Sequence, residues 1–277
     1  MRARPPLSAR HCGGSASSIQ DSYNLAWKIA AVLSGQAGPA LLDTYTAERA
    51  PVARQIVLRA NKSAREFGAL FEALGLDAAE SAEQMHARIE ERKDTGLAGA
   101  AKRAAVREAM ELKNYEFNAH GVEMGQTYES SAVVPDGTTR PEPARDPELY
   151  YEPSTFPGAR LPHAWVGDSR RKLSTHDLVP YGQFTLLTGI NGEAWADAAQ
   201  KVADRLGVPV RTVVIGPGRE VTDLYFDWSR LSGVDEDGAV LVRPDKHVGW
   251  RSRCLPADPE AELVSVLTTV LAREESA

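Results

Sequence analysis

The residues best placed to do chemistry come early, in Gly13-Gly14-Ser15-Ala16-Ser17-Ser18-Ile19-Gln20-Asp21. A run of glycine and serine lets a ligand approach the backbone closely. A helix starting just after such a run offers free N–H groups that favour negative charge. The stretch therefore points to a site for an anionic ligand. Gly216-Pro217-Gly218 also follows a strand pattern, but Pro217 and the lack of a third glycine make it a turn rather than a nucleotide loop. His120, His163, His176 and His247 are scattered without metal-ligand spacing, so no metal site is expected. His176-Asp177 reads as a turn or helix start rather than a catalytic pair. Cys12 and Cys254 stand far apart in no motif, which argues against a disulfide framework and fits a reducing compartment.

The elements that would carry these residues fall into two classes. Ile19, Tyr23, Ala26, Ala30 and Leu33 recur at helical spacing and predict a helix over Ile19–Leu33, ended by Gly35. Ser18 and Asp21 have capping-box spacing at its start, and Asn24 and Lys28 fall on its polar side. A helical region follows from Ala40 to about Leu74, with Pro51 starting a new helix or kinking this one. Within it, Asp43, Tyr45, Glu48 and Arg49 read as packing and ion-pair residues. Two Ala/Glu/Arg-rich helices are expected around Ser81–Arg92 and Ala98–Phe117. Glu123 to Val134 reads as extended, and the prolines from Pro135 to Pro153 read as a strap between domains.

The remainder is patterned as a compact α/β unit. Strands are expected at Phe184–Thr188, Val210–Ile215, Ala239–Val242 and His247–Trp250. Helices are expected at Ala194–Leu206, near Asp223–Ser229 and at Pro259–Ala272, and Arg243–Lys246 reads as a hairpin turn. The order β-α-β-α-β-β-α is that of a thioredoxin-like domain, here without Cys-x-x-Cys and therefore without thiol redox chemistry. The domains expected are 1–120, helical; 121–155, an extended Pro-rich linker; and 156–277, thioredoxin-like. The 277 residues carry a net charge of −6, which excludes a basic nucleic-acid footprint, and no apolar run approaches membrane-spanning length. No apolar signal core follows the basic start, so a cytoplasmic protein is expected.

Ser18-Ile-Gln-Asp-Ser-Tyr-Asn-Leu-Ala-Trp-Lys-Ile-Ala30 and Leu41-Leu-Asp-Thr-Tyr-Thr-Ala-Glu-Arg-Ala-Pro51 resemble the last helices of the flavin domain in the phenol hydroxylase group of flavoprotein aromatic monooxygenases. Asp146–Tyr151, Pro157–Trp165 and Leu241-Val-Arg-Pro-Asp-Lys-His-Val-Gly-Trp-Arg251 look like motifs of their C-terminal part, and the resemblance runs from about residue 14 to the end. It implies an α/β fold: the helical C-terminal part of an FAD domain followed by the thioredoxin-like domain. It also implies FAD as cofactor, NADPH as reductant and a small phenol, chlorophenol-like, hydroxylated ortho to its hydroxyl. The protein's part is to position the flavin and dry the site, while the oxygen chemistry is the cofactor's. Homo-oligomers are expected on the same ground. Gly14, Ser15 and Ser17 would present backbone N–H groups to the flavin.

The sequence also departs from the family pattern. No Gly-x-Gly-x-x-Gly pyrophosphate cradle is present, and Cys12 and Ala16 replace a glycine and an asparagine of the flavin loop. The simplest expectation is a truncated reading frame whose product is inactive alone and works only in a complete or complemented chain. No catalytic residue is carried over. The alternative is a non-catalytic remnant serving as an assembly module. Either way, the apolar stripe of the first helix would be left bare.

Overall fold

The computed structural model describes residues 8–77, 79 and 81–273, with side chains from Ser17 onward. The basic start of the chain and the Cys12 side chain lie outside this set. Helix α1 spans Ser8–Leu33. The helix expected from Ile19 thus extends back through Gly13-Gly14-Ser15, which form no turn. Once Gln20–Leu33 is helical, adding residues at its end costs far less than nucleating a helix, although each glycine weakens it by about 1 kcal/mol. A 3-10 turn, Pro39–Asp43, leads into α2 (Thr44–Leu74). Pro51 lies inside α2, which runs on past it. Helix α3 (Ala82–Glu90) is capped by Ser81, whose side chain accepts from the Gln84 N–H. Helix α4 (Leu97–Phe117) packs back along α2. A short α5 (His120–Met124) takes up the start of the stretch expected to be extended.

From Gly125 to Leu161 the chain is an irregular strap, pinned by Tyr128 N–H to Gly158 O (2.9 Å) and Val134 N–H to Gly249 O (2.8 Å). Two sheets follow. Strands β1 (Trp165–Gly167), β2 (Lys172–Ser174) and β5 (Thr222–Asp223) form a small antiparallel sheet in the order β2-β1-β5. Strands this short carry no readable period, and the sequence pattern missed them. The larger sheet has the order β4-β3-β6-β7, built from β3 (Phe184–Thr188), β4 (Val210–Val214), β6 (Ala239–Val242) and β7 (Val248–Ser252). Helix α6 (Glu193–Leu206) makes the crossover between parallel β3 and β4, and the other pairs are antiparallel. Strand β4, expected to be buried, is an edge strand with only Val213 inside. Helix α7 (Asp227–Leu231) is short, and α8 (Pro259–Val270) closes the unit.

Alternation along β3 and β6 sends side chains to two cores. Leu186 and Leu241 face Trp195, Trp250, Leu263 and Leu267. Leu187, Val240 and Val242 face Val166, Val213 and Trp228. Trp27 and Leu41 of the helical part belong to the first core, so α1 is docked onto the sheet unit rather than tethered to it.

Candidate functional site

Helix α1 buries Asn24, Trp27, Lys28 and Ala31, while Ile19 and Leu33 are 71% and 83% exposed. Its docking face is therefore not the apolar stripe in the sequence. Asn24 and Lys28, expected on a polar outer side, point into a sealed ion cluster. Glu48 of α2 sits at its centre. One carboxylate oxygen accepts from Lys28 Nζ (2.7 Å), Asn24 Nδ2 (2.7 Å) and Arg243 Nη2 (2.9 Å). The other accepts from Arg243 Nη1 (2.6 Å) and Ser130 Oγ (2.6 Å).

Arg243 comes from the hairpin turn after β6, which lies where the pattern puts it, and the side chain is fully enclosed. Its remaining donors reach Asp245 Oδ1 (3.1 Å), Asp245 Oδ2 (2.6 Å) and Ala132 O (3.2 Å). All five guanidinium N–H groups thus have acceptors. Two cations, Lys28 and Arg243, balance two anions, Glu48 and Asp245, which lets such a cluster persist away from water. Burial alone would raise the Glu48 and Asp245 carboxyls. Arg243 overrides it, holding Glu48 down to about 2 and Asp245 well below the usual carboxylate range. Burial dominates at Lys28 and lowers it to about 8, against the pull of Glu48.

A second contact set grips the middle of α1. Arg49, one residue on, points the other way and donates to Asp21 Oδ1 (2.6 Å), Gln126 Oε1 (2.8 Å) and Tyr128 Oη (3.1 Å). It also reaches Gln20 Oε1 (3.4 Å) and Ser17 Oγ (3.5 Å). Asp21 is thus a mid-helix ion-pair residue, not a cap. Tyr128 stacks on His247, with ring centroids 4.0 Å apart. No local pattern signals that Ser130, Arg243 and Asp245 meet Glu48: the Glu48–Arg243 bond spans 195 positions.

The residues at the expected flavin segment do not fit an anionic cofactor as they stand. Gly14, Ser15 and Ser17 lie beyond the first turn of α1, where backbone N–H groups are taken by carbonyls four residues back. The turn between β3 and α6 offers no substitute, since Glu193 puts a carboxylate at that helix start and pairs with Arg219. Among the described residues no group of histidines, cysteines and carboxylates could hold a metal ion, and no helix is long and apolar enough to cross a membrane.

Comparison with known proteins gives this arrangement its context. Residues 154–273 match the family "Aromatic-ring hydroxylase, C-terminal", and residues 5–60 match "FAD binding domain". The chain is thus a relative of the flavin-dependent aromatic-ring hydroxylases, corresponding to the C-terminal part of such a protein. It is 55% identical over 258 residues to the phenol 2-monooxygenase of Pseudomonas sp. (strain EST1001), covering 93% of this chain and 42% of that protein. It is 52% identical over 264 residues to the 2,4-dichlorophenol 6-monooxygenase of Cupriavidus pinatubonensis (strain JMP 134 / LMG 1197), covering 94% and 44%. The crystal structure of the flavin-dependent monooxygenase PieE in complex with FAD and substrate superposes with a TM-score of 0.86 at 45% identity, covering 93% of this chain and 44% of that one. The chain therefore spans less than half the length of these relatives. All three are enzymes, and nothing in them supports the assembly-module alternative.

Proposed function

We propose that this polypeptide is the C-terminal portion of an FAD-dependent monooxygenase that hydroxylates small phenols, chlorophenols included, ortho to the hydroxyl with NADPH as reductant. The observation that carries this reading is the 55% identity to a phenol 2-monooxygenase over 93% of the chain. The flavin, when bound, supplies the oxygen chemistry. No step is assigned to this chain's residues, because those present do not cradle the cofactor in the helical form of α1. Gly14, Ser15 and Ser17 become flavin contacts on this reading only when the first turns of α1 open. Arg49, which already reaches Ser17, then anchors the segment.

The division into 1–120, 121–155 and 156–277 is part of the proposal, as is the assignment of the last part to the thioredoxin-like folds. The sheet order β4-β3-β6-β7 with a βαβ start and a ββα end supports that assignment. A cytoplasmic homo-oligomer completes the reading.

The test is an absorbance spectrum of the purified chain after incubation with FAD and desalting, alone and with the separately produced flavin-binding part of a phenol 2-monooxygenase. Flavin bands retained by the mixture, with NADPH oxidation dependent on a phenol, are expected. A mixture that assembles yet neither retains flavin nor consumes NADPH overturns the reading.

A further inference from the structure

The segment Pro157-Gly-Ala-Arg-Leu-Pro-His163 takes no part in the ion cluster or the flavin reading, yet it is built with care. Gly158 adopts φ +88°, and a Cβ there would lie 2.1 Å from the Tyr128 carbonyl oxygen, so only glycine permits this approach. Its N–H donates to Val248 O (2.7 Å), Val248 N–H donates to Ala159 O (2.8 Å) and Leu161 N–H donates to Lys246 O (2.9 Å). This pairing sets Arg160 opposite His247 and beside Lys246, itself at φ +61°.

The resulting charge pattern is unusual for a chain of net charge −6. The half-buried Arg160 has no carboxylate within ion-pair distance among the described residues, and its guanidinium contact is Met124 Sδ at 3.8 Å. Lys246 Nζ donates to the His176 carbonyl (2.9 Å). Burial above all, and then the charges of Arg160 and Lys246, hold the His176 imidazole down to about 4. Of the carboxylates nearby, Asp245 is committed to Arg243 and Asn24, Glu123 is exposed, and the exposed Asp177 pulls on Lys246 rather than on Arg160. Arg160 forms part of the wall of two cavities. One, of about 260 Å³, lies against Ile19, Tyr23 and Tyr128; the other, of about 190 Å³, lies under the strap against Tyr151 and Phe156.

We propose that this cleft between α1, the strap and the Asp245–His247 turn binds a small organic monoanion with a flat apolar body, such as an aryl carboxylate, with Arg160 as its counter-ion. A forked guanidinium matches a carboxylate bidentately, and such charge-assisted bonds are about twice as strong as neutral ones. The aromatic walls cover the apolar body. Binding gives Arg160 the ion-pair partner that it lacks among the described residues. The site needs no flavin, so its test is independent of the activity proposed above.

The experiment compares benzoate with benzamide, its uncharged counterpart, by calorimetry and by amide chemical-shift mapping on the full chain. Benzoate should bind at least tenfold more tightly than benzamide, with shifts centred on Tyr23, Gln126 and Lys246. Arg160→Gln should lose at least tenfold in benzoate affinity, and Arg230→Gln, an exposed arginine elsewhere, should lose none. Equal binding of the two probes, no binding, shifts centred elsewhere, or an unchanged Arg160→Gln affinity overturns the proposal. If Arg160→Gln does not fold, the probe ratio and the shift map on the unaltered chain decide it.

Discussion

The residues buried along α2 are Thr44, Glu48, Arg49, Val52, Arg59 and Ser63, whereas those buried along β6 are Ala239, Val240, Leu241 and Val242. The helical part places charge inside and leaves Val57, Leu58, Phe71, Leu97 and Phe117 facing out. The sheet unit closes two apolar cores around β3 and β6, and its buried ion pair, Arg243 with Asp245, is confined to the turn after β6. Apolar burial is non-directional and tolerates small shifts, but a bidentate Arg–carboxylate pair with every donor used permits one geometry. The contrast assigns two jobs: the sheet unit supplies stability, and the ion cluster fixes where α1 and α2 sit upon it.

The strongest way to break this comparison is to remove the centre of the cluster. Glu48→Gln leaves Lys28 and Arg243 facing each other without their shared anion and should cost about 3–5 kcal/mol, read from urea unfolding. The matched change on the other side, Leu241→Ala, should cost about 2–5 kcal/mol by cavity formation. The two should differ in kind as well, because Glu48→Gln should loosen α1 while leaving the sheet unit's amide protection intact. A Glu48→Gln loss under 1 kcal/mol would show that the cluster does not hold α1 in place.

Acid gives a gentler handle. The Glu48 carboxyl is depressed from 4.5 to about 2 in the folded chain, so its contribution is complete above pH 4.5 and fades as pH falls from 4.5 towards 2. The slope of stability against pH in that window should flatten in Glu48→Gln. An unchanged slope would place the acid sensitivity elsewhere.

Limited proteolysis sharpens the contrast further. Trypsin should cut the exposed basic residues between Arg88 and Arg103 before it cuts within 156–273, and trimming of the sheet unit first would reverse the assignment of roles. The smallest effect belongs to the surface. Leu97, 91% exposed, should tolerate Leu97→Ser within about 0.5 kcal/mol, measured by thermal unfolding.

Much of the larger sheet was legible because its strands are short, mostly apolar runs rich in Val and Leu, bounded by turn residues. Ala239–Val242 lies where the pattern put it, and Pro259 opens α8 as a first-turn proline does. Periodicity misled at α1 for a physical reason. It ranks faces by apolar content, but this helix docks through Trp27 flanked by Asn24 and Lys28, whose polarity is neutralised by partners far along the chain. Glu48 and Arg49 read only as ion-pair residues, since nothing local names Arg243 or Asp21 as partners. Trp27 itself lies in the first apolar core.

The 195 positions between Glu48 and Arg243 also set an order of events during synthesis. At about 5–20 residues per second, a ribosome takes about 10–40 s to pass from one to the other. Through that interval the nascent helices carry a carboxylate meant for an enclosed site whose principal partner has not yet been made. Glu48 must stay in water until the β6 turn emerges, so docking of α1 and α2 waits for a segment made long after them.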